Sequence, residues 1–127
     1  MLKLTLKGDP RTKKNSMRIV RFGSRSAILP SKAYSDYAAA CVRQITRPKQ
    51  AISQPINVKC VYYMRTRRRV DLANLLEATC DILVAAGVVE DDNSGIIVSH
   101  DGSAVRYDKE DPRVEIEITE ERRGQQD

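Results

Sequence analysis

Residues 65–93 read RTRRRVDLANLLEATCDILVAAGVVEDDN: a basic block, then an apolar helical period, then an acidic turn. Leu72, Leu75, Leu76, Thr79, Ile82, Leu83 and Ala86 recur at the spacing that turns one side of a helix into a core. The spacing predicts a helix over 71–86, opened at Asp71 and stopped at Gly87, the residue type that most readily adopts the left-handed conformation in which helices end. Glu90-Asp91-Asp92-Asn93-Ser94-Gly95 is rich in turn formers and leads to a strand at Ile96 to Ser99. Upstream, Ile56, Val58, Cys60 and Tyr62 alternate with Asn57, Lys59, Val61 and Tyr63, the period of a central strand over 55–64. The arginines Arg65, Arg67, Arg68 and Arg69 therefore leave the end of a strand and enter a helix with one buried side.

Working outward, Leu2 to Leu6 alternate as a half-buried strand that Gly8, Asp9 and Pro10 end. A basic loop, RTKKNSMR, precedes a short strand at Met17 to Phe22. Pro30-Ser31 looks like a helix entry with Ser31 as N-cap, and Ala33, Tyr37, Ala40, Cys41 and Ile45 share one face of a helix over about 31–47 that Pro48 ends. A last strand, Val114 to Thr119, is expected to pair across the loop containing Asp108 to Pro112, with Glu115 and Glu117 on its solvent face. The reading is α+β: one domain over 1–119, a small mixed or antiparallel sheet with two main helices, and a frayed tail over 120–127.

With 127 residues the chain suits one domain. The longest apolar run, Ile82 to Val89, is too short to span a bilayer, and the charged N-terminus lacks an apolar signal segment, so a cytoplasmic protein with no membrane partner is expected. Cys41, Cys60 and Cys80 form no CxxC pair, and one histidine, His100, builds no zinc-finger spacing; buried reduced thiols are expected. The formal charge of +5 hides a division: residues 1–69 hold 17 basic residues against Asp9 and Asp36, and residues 70–127 hold 5 basic and 15 acidic ones. One folded surface would then carry a basic face that runs into an acidic pocket. Arg11, Lys13, Lys14, Arg67, Arg68 and Arg69 are the candidate phosphate contacts.

At about 100° per residue, Asn74, Glu77 and Asp81 share a narrow sector of the helix with Asp71 near its edge. Residues 71–86 contain no basic residue to pair with them. Uncompensated carboxylates point to a bound cation. Mg²⁺ takes one or two protein carboxylates and completes its shell with water and substrate phosphate, and Asp71 from the helix start with Asp92 from the turn could supply that pair. The competing reading gives Asp71 a helix-dipole role and Asp91 and Asp92 a turn role.

Asp71 and Asn74 after a run of arginines, the spacing to Asp81-Ile82-Leu83, and AGVVEDDN resemble the RusA-type crossover junction endodeoxyribonucleases, homodimeric Holliday junction resolvases of phages and prophages. The resemblance is strongest in residues 68–93 and implies an α+β fold and Mg²⁺ dependence; whether Mn²⁺ substitutes is left open by the sequence, and no nucleotide cofactor is expected. It also implies paired symmetric incisions in four-way DNA during recombination and repair. It assigns catalytic and metal-binding aspartates to Asp71, Asp91 and Asp92, and support to Asn74 and Asp81. Two departures stand out: the family's DxDN reads Asp71-Leu72-Ala73-Asn74, and the lysine usually found three residues after the asparagine is Glu77. Helical side chains lean toward the N-terminus, so a Glu77 carboxylate could return to the space of an aspartate at 73 and join the metal ligands. Lys13 or Lys14 could replace the lysine if the N-terminal loop folds over the site, Lys14 being the candidate catalytic cation.

The expected mechanism is attack of an activated water on phosphorus, with a lysine helping to stabilise the developing charge. Two symmetric nicks need two sites, hence a C2 dimer. A catalytically impaired junction-binding architectural protein is the alternative. A small RNA-binding module would fit the basic surface but leaves the acidic turn unexplained. His100 reads as a packing or surface residue.

Overall fold

The structure, a computed structural model, describes residues 2–13 and 17–121. Nine elements follow in order: β1 (Leu2–Lys7), β2 (Met17–Phe22), β3 (Arg25–Pro30), α1 (Lys32–Arg43), β4 (Ile56–Met64), α2 (Leu72–Ala85), β5 (Ile97–Ser99), β6 (Ala104–Tyr107) and β7 (Arg113–Glu120). The fold is α+β, with a mixed five-stranded sheet and a separate two-stranded ribbon of β2 and β3.

β4 is the middle of the sheet, as its alternation predicts: Ile56, Val58, Cys60 and Tyr62 are buried while the residues between them are only partly so. β7 pairs antiparallel with one edge of β4 and carries β1 on its far side. β5 and β6 share the other edge of β4 in tandem, both parallel to it. The last strand thus does not pair with the segment just before it. It crosses to the opposite edge of β4, because β6, a strand the alternation did not reveal, occupies the edge beside the Asp108 loop. Between β5 and β6 the ladder is completed by side chains: the Asn57 carbonyl oxygen accepts from Ser99 Oγ and Asp101 N, and Ser103 Oγ accepts from Cys60 N. No buried polar group in a β-sheet is left without a partner at low cost, so these three polar residues are structural.

Leu6, Val58, Tyr62, Val114 and Ile116 meet Leu75, Ile82 and Leu83 of α2 and Cys41 of α1 in one core. Each such apolar side chain contributes about 1.5–3 kcal/mol. All three cysteines are free and buried, as expected. Gly87 has φ +74, the left-handed stop that the sequence assigned it.

α1 begins as expected, with Ser31 Oγ accepting from Tyr34 N, but it ends at Arg43 rather than near 47. Gln44 is the reason: its side chain accepts from Lys7 N and donates to Lys7 O, drawing the chain off the helix axis toward β1. The inward residue of its first turn is Tyr34, not Ala33, which is exposed. Residues 120 and 121, expected in the tail, belong to the fold, since Glu120 pairs with Ile56 and Glu121 N donates to Pro55 O at 3.0 Å. Residues 122–127 lie outside the described residues.

Candidate active site

The arginine block follows β4 and ends in Asp71, whose carboxylate caps α2 by accepting from Ala73 N at 2.9 Å. One carboxylate oxygen serves the cap, and a carboxylate has capacity for further acceptance. Asp71 is exposed and therefore accessible to a ligand while it fixes the helix start. Ala73, the position of the family's second aspartate, is exposed as well. Nothing in the core forbids a larger side chain there.

α2 is held to the sheet by a buried polar contact that the sequence does not announce, Tyr62 Oη to Thr79 Oγ1 at 2.7 Å. This bond, with the leucine stripe, fixes the rotation of the helix and turns Asn74, Glu77 and Asp81 toward the other side. Asp81 meets a cation there, but from a distant segment: Lys13 Nζ lies 2.6 Å from its Oδ2. The lack of basic residues within 71–86 thus did not leave Asp81 uncompensated. The Asp81 hydrogen bond and the nearby Glu77 charge raise the Lys13 ammonium above its ordinary pKa, so it stays charged. Tyr34 of α1 lies beside the same lysine, and burial raises its hydroxyl pKa.

Lys13 reaches α2 because the start of the N-terminal loop is pinned. Gly8 N donates to Pro112 O, Asp9 Oδ1 accepts from Arg65 N at 3.0 Å, and Thr12 is buried despite its hydroxyl. Asp9, Pro10, Arg11 and Thr12 form one wall of a cleft of about 300 Å³ whose other wall includes Thr66, Arg68, Arg69 and Val70. The cleft brings together Arg11, Arg68 and Arg69, three of the expected phosphate contacts. Arg67 turns the other way and stacks on Tyr107, its guanidinium 4.1 Å from the ring centre. Lys14 lies outside the described residues.

The acidic turn is bound at both ends by backbone, Glu90 N to Ile52 O and Ile96 N to Asn93 O. Within it Asp91 accepts from the Asn93 side chain and from Asp92 N, and these bonds lower its pKa below the usual carboxylate value. Both aspartates are exposed. The chain leading into the turn stays against the end of α2, Val88 N and Val89 N donating to Leu83 O; burial pushes the Cys80 thiol up to about 12, with Cys60, Asp92 and Asp81 adding to it. His100 is a packing residue in the expected sense. Its Nδ1 lies 2.7 Å from Val58 O, which can only accept, so Nδ1 carries the proton and Nε2 faces Cys80 Sγ at 3.9 Å.

The carboxylates form no cage among the described residues. Among the described residues no three His, Cys, Asp or Glu side chains are grouped so as to hold a metal ion. Asp71, Asp91, Asp92 and Glu77 are therefore not assembled as a complete ligand set. Their chemistry nonetheless suits Mg²⁺, which binds hard oxygens and needs only one or two of them from protein. No helix among the described residues is long and apolar enough to cross a membrane.

The model of the family described as endodeoxyribonuclease RusA aligns with residues 7–119 of the chain. No curated protein matches the chain.

Proposed function

The chain belongs to the RusA endodeoxyribonuclease family, and from that premise we propose that it is a Mg²⁺-dependent, structure-selective nuclease that resolves four-way DNA junctions by paired symmetric cuts. The observation that carries the reading is the adjacency of the arginine-lined cleft to the helix start at Asp71, with Lys13 joining the cleft's loop to the acidic face of α2.

Arg11, Arg68 and Arg69 hold the backbone of the strand to be cut and carry no base code, as suits recognition of shape rather than sequence. Asp71 and Asp92 would hold the divalent ion, with Asp91 steering the turn and Glu77 a further candidate. When bound, the ion supplies Lewis-acid stabilisation and a more acidic water. Lys13 contributes a fixed positive charge for the transition state; its bond to Asp81 keeps it oriented, so little reorganisation accompanies the reaction. Asp81 is a positioning residue in this scheme. The cut would leave a 5′-phosphate, and two symmetric cuts would require a C2 homodimer.

The test is cleavage of a labelled four-way junction and a matched linear duplex with Mg²⁺, comparing wild type with Asp92→Asn. Symmetric junction nicks that vanish in the variant are expected. Ala73 favours a second reading, a junction-binding protein without chemistry: tight junction binding in EDTA with no cut in Mg²⁺ or Mn²⁺ would establish that one instead.

A further inference from the structure

The β2–β3 ribbon is the part of the molecule that the cleavage scheme leaves unused. Its strands pair with each other in a separate sheet, with Phe22 opposite Arg25 at the closing pair and Gly23-Ser24 as the turn. Gly23 has φ +63, and a Cβ built there would meet nothing within 4 Å, so the turn stands in the open. Phe22, the only phenylalanine in the chain, is 60% exposed at this tip. Ile19 and Ile28, paired directly across the ribbon, are 74% and 68% exposed. Phe22 is three residues from Ile19, so it projects from the opposite face. Apolar surface is thus displayed on both faces of a two-stranded ribbon, a structure of marginal stability in water by itself.

Charge decides what covers it. Residues 10–35 contain seven basic residues and no acidic one; exposed Arg25 lies directly across the ribbon from Phe22, and exposed Arg21 projects from the opposite face. A second copy would bring an equally cationic ribbon against this one. A nucleobase offers an apolar face with phosphates beside it, which matches an aromatic ring with one arginine beside it and another on the far face of the ribbon. An element with apolar side chains on both faces also suits insertion between two stacked surfaces, the way apolar wedges enter DNA.

We propose that the ribbon tip is a junction wedge, with Phe22 stacking on a base exposed at the branch point while Arg21 and Arg25 hold the flanking phosphates. The inference rests on the junction-resolvase reading and adds the element that distinguishes a branch point from a duplex. The ribbon springs from the neighbourhood of the site: Lys13 on one side is bound to Asp81, and Ser31 on the other caps α1. Six-residue strands reach about 20 Å at the usual rise per residue, the length of about six base-pair steps. A branch point exposes base faces that a continuous duplex keeps stacked, so the wedge costs least to insert there.

The test measures binding in EDTA, so that cleavage plays no part, to a four-way junction carrying 2-aminopurine at the branch and to a duplex of the same sequence. Wild type should prefer the junction and change the 2-aminopurine fluorescence. Phe22→Ala should lose about tenfold in junction affinity and the fluorescence change, with duplex binding unaltered; Phe22→Trp should retain both. Equal binding of junction by wild type and Phe22→Ala, or equal losses on junction and duplex, would overturn the wedge. A fall in sedimenting mass on Phe22→Ala would overturn it in favour of a protein interface. Failure of the underlying reading is separate: wild type itself would then show no junction preference.

Discussion

Replacing Lys13 with methionine separates a catalytic cation from a structural ion pair. The contact is short, 2.6 Å, but about a third of each side chain is exposed. In a water-like dielectric Coulomb's law gives about 1.6 kcal/mol at that separation. Ordering a long lysine offsets part of this, so the net stabilisation is about 0.5–1 kcal/mol. Lys13→Met should then lower the melting temperature by only about 2–5 °C. Because domains of this size are stable by about 5–15 kcal/mol, the variant remains folded under assay conditions. If the ammonium stabilises the transition state, loss of that donor should lower kcat for junction cleavage by about 10²–10³-fold. Single-turnover cleavage with saturating enzyme isolates this step from DNA affinity, and Lys13→Arg should recover part of the rate. Single-turnover rates within threefold of wild type in Lys13→Met would refute the assignment. So would a rate loss fully explained by weaker junction binding, which would return Lys13 to the role of a phosphate contact.

Three further outcomes follow from the same geometry. Restoring the family pattern with Ala73→Asp and Glu77→Lys together should make Lys13 dispensable, so that adding Lys13→Met to the double variant costs less than tenfold in single-turnover rate; an undiminished loss would show that the two lysines are not equivalent. Tyr62→Phe leaves the buried Thr79 hydroxyl without its partner and should cost about 1–3 kcal/mol in urea unfolding, with Thr79→Val added to it giving little further loss; additive losses would exclude the bond as the cause. Asp108 is held below its ordinary pKa chiefly by its hydrogen bond to Arg113. Its contribution is therefore present above the unfolded value of 3.8 and disappears as pH falls through the lower folded value. Asp108→Asn should melt below wild type at neutral pH and converge with it once the pH has fallen through the lower folded value, whereas a constant gap across the acid range would rule this linkage out.

Regular periods were legible in the sequence, and non-local partners were not. The burial of Ile56, Val58, Cys60 and Tyr62, the leucine stripe of α2, the Ser31 cap and the Gly87 stop all follow from spacing within a few residues. β3 was missed because RSAILP does not alternate, and β6 because a four-residue strand beside Ser103 carries too little pattern. The early end of α1 depends on Gln44 meeting Lys7, 37 residues away. The site shows the same division. Asp71 at the helix start and the Asp91-Asp92 turn could be read directly, but the cation for Asp81 comes from residue 13. The lysine was nameable as a candidate; its partner was not, because nothing in sequence tells a loop where to lie. The Asp9–Arg65 bond and the burial of Thr12 settle that, and both are tertiary.

The two departures from the family pattern are better understood together than singly. The pattern gives this helix face carboxylates at the positions of Asp71, Ala73 and Asp81 and a lysine at the position of Glu77. The present chain has carboxylates at Asp71, Glu77 and Asp81, and its lysine is Lys13. Of the side chains just named, each set holds three carboxylates and one lysine. The arrangement does alter how the positive charge is delivered. A lysine on the helix is fixed once α2 packs, whereas Lys13 is carried by the loop that also forms the wall of the arginine-lined cleft. Anything that seats that loop, including a DNA backbone lying between Arg11 and Arg68, orients the ammonium as well. Under the proposed function, phosphate binding in the cleft and the placing of Lys13 against α2 therefore depend on the same loop, and weakening its anchor at Asp9 should impair both.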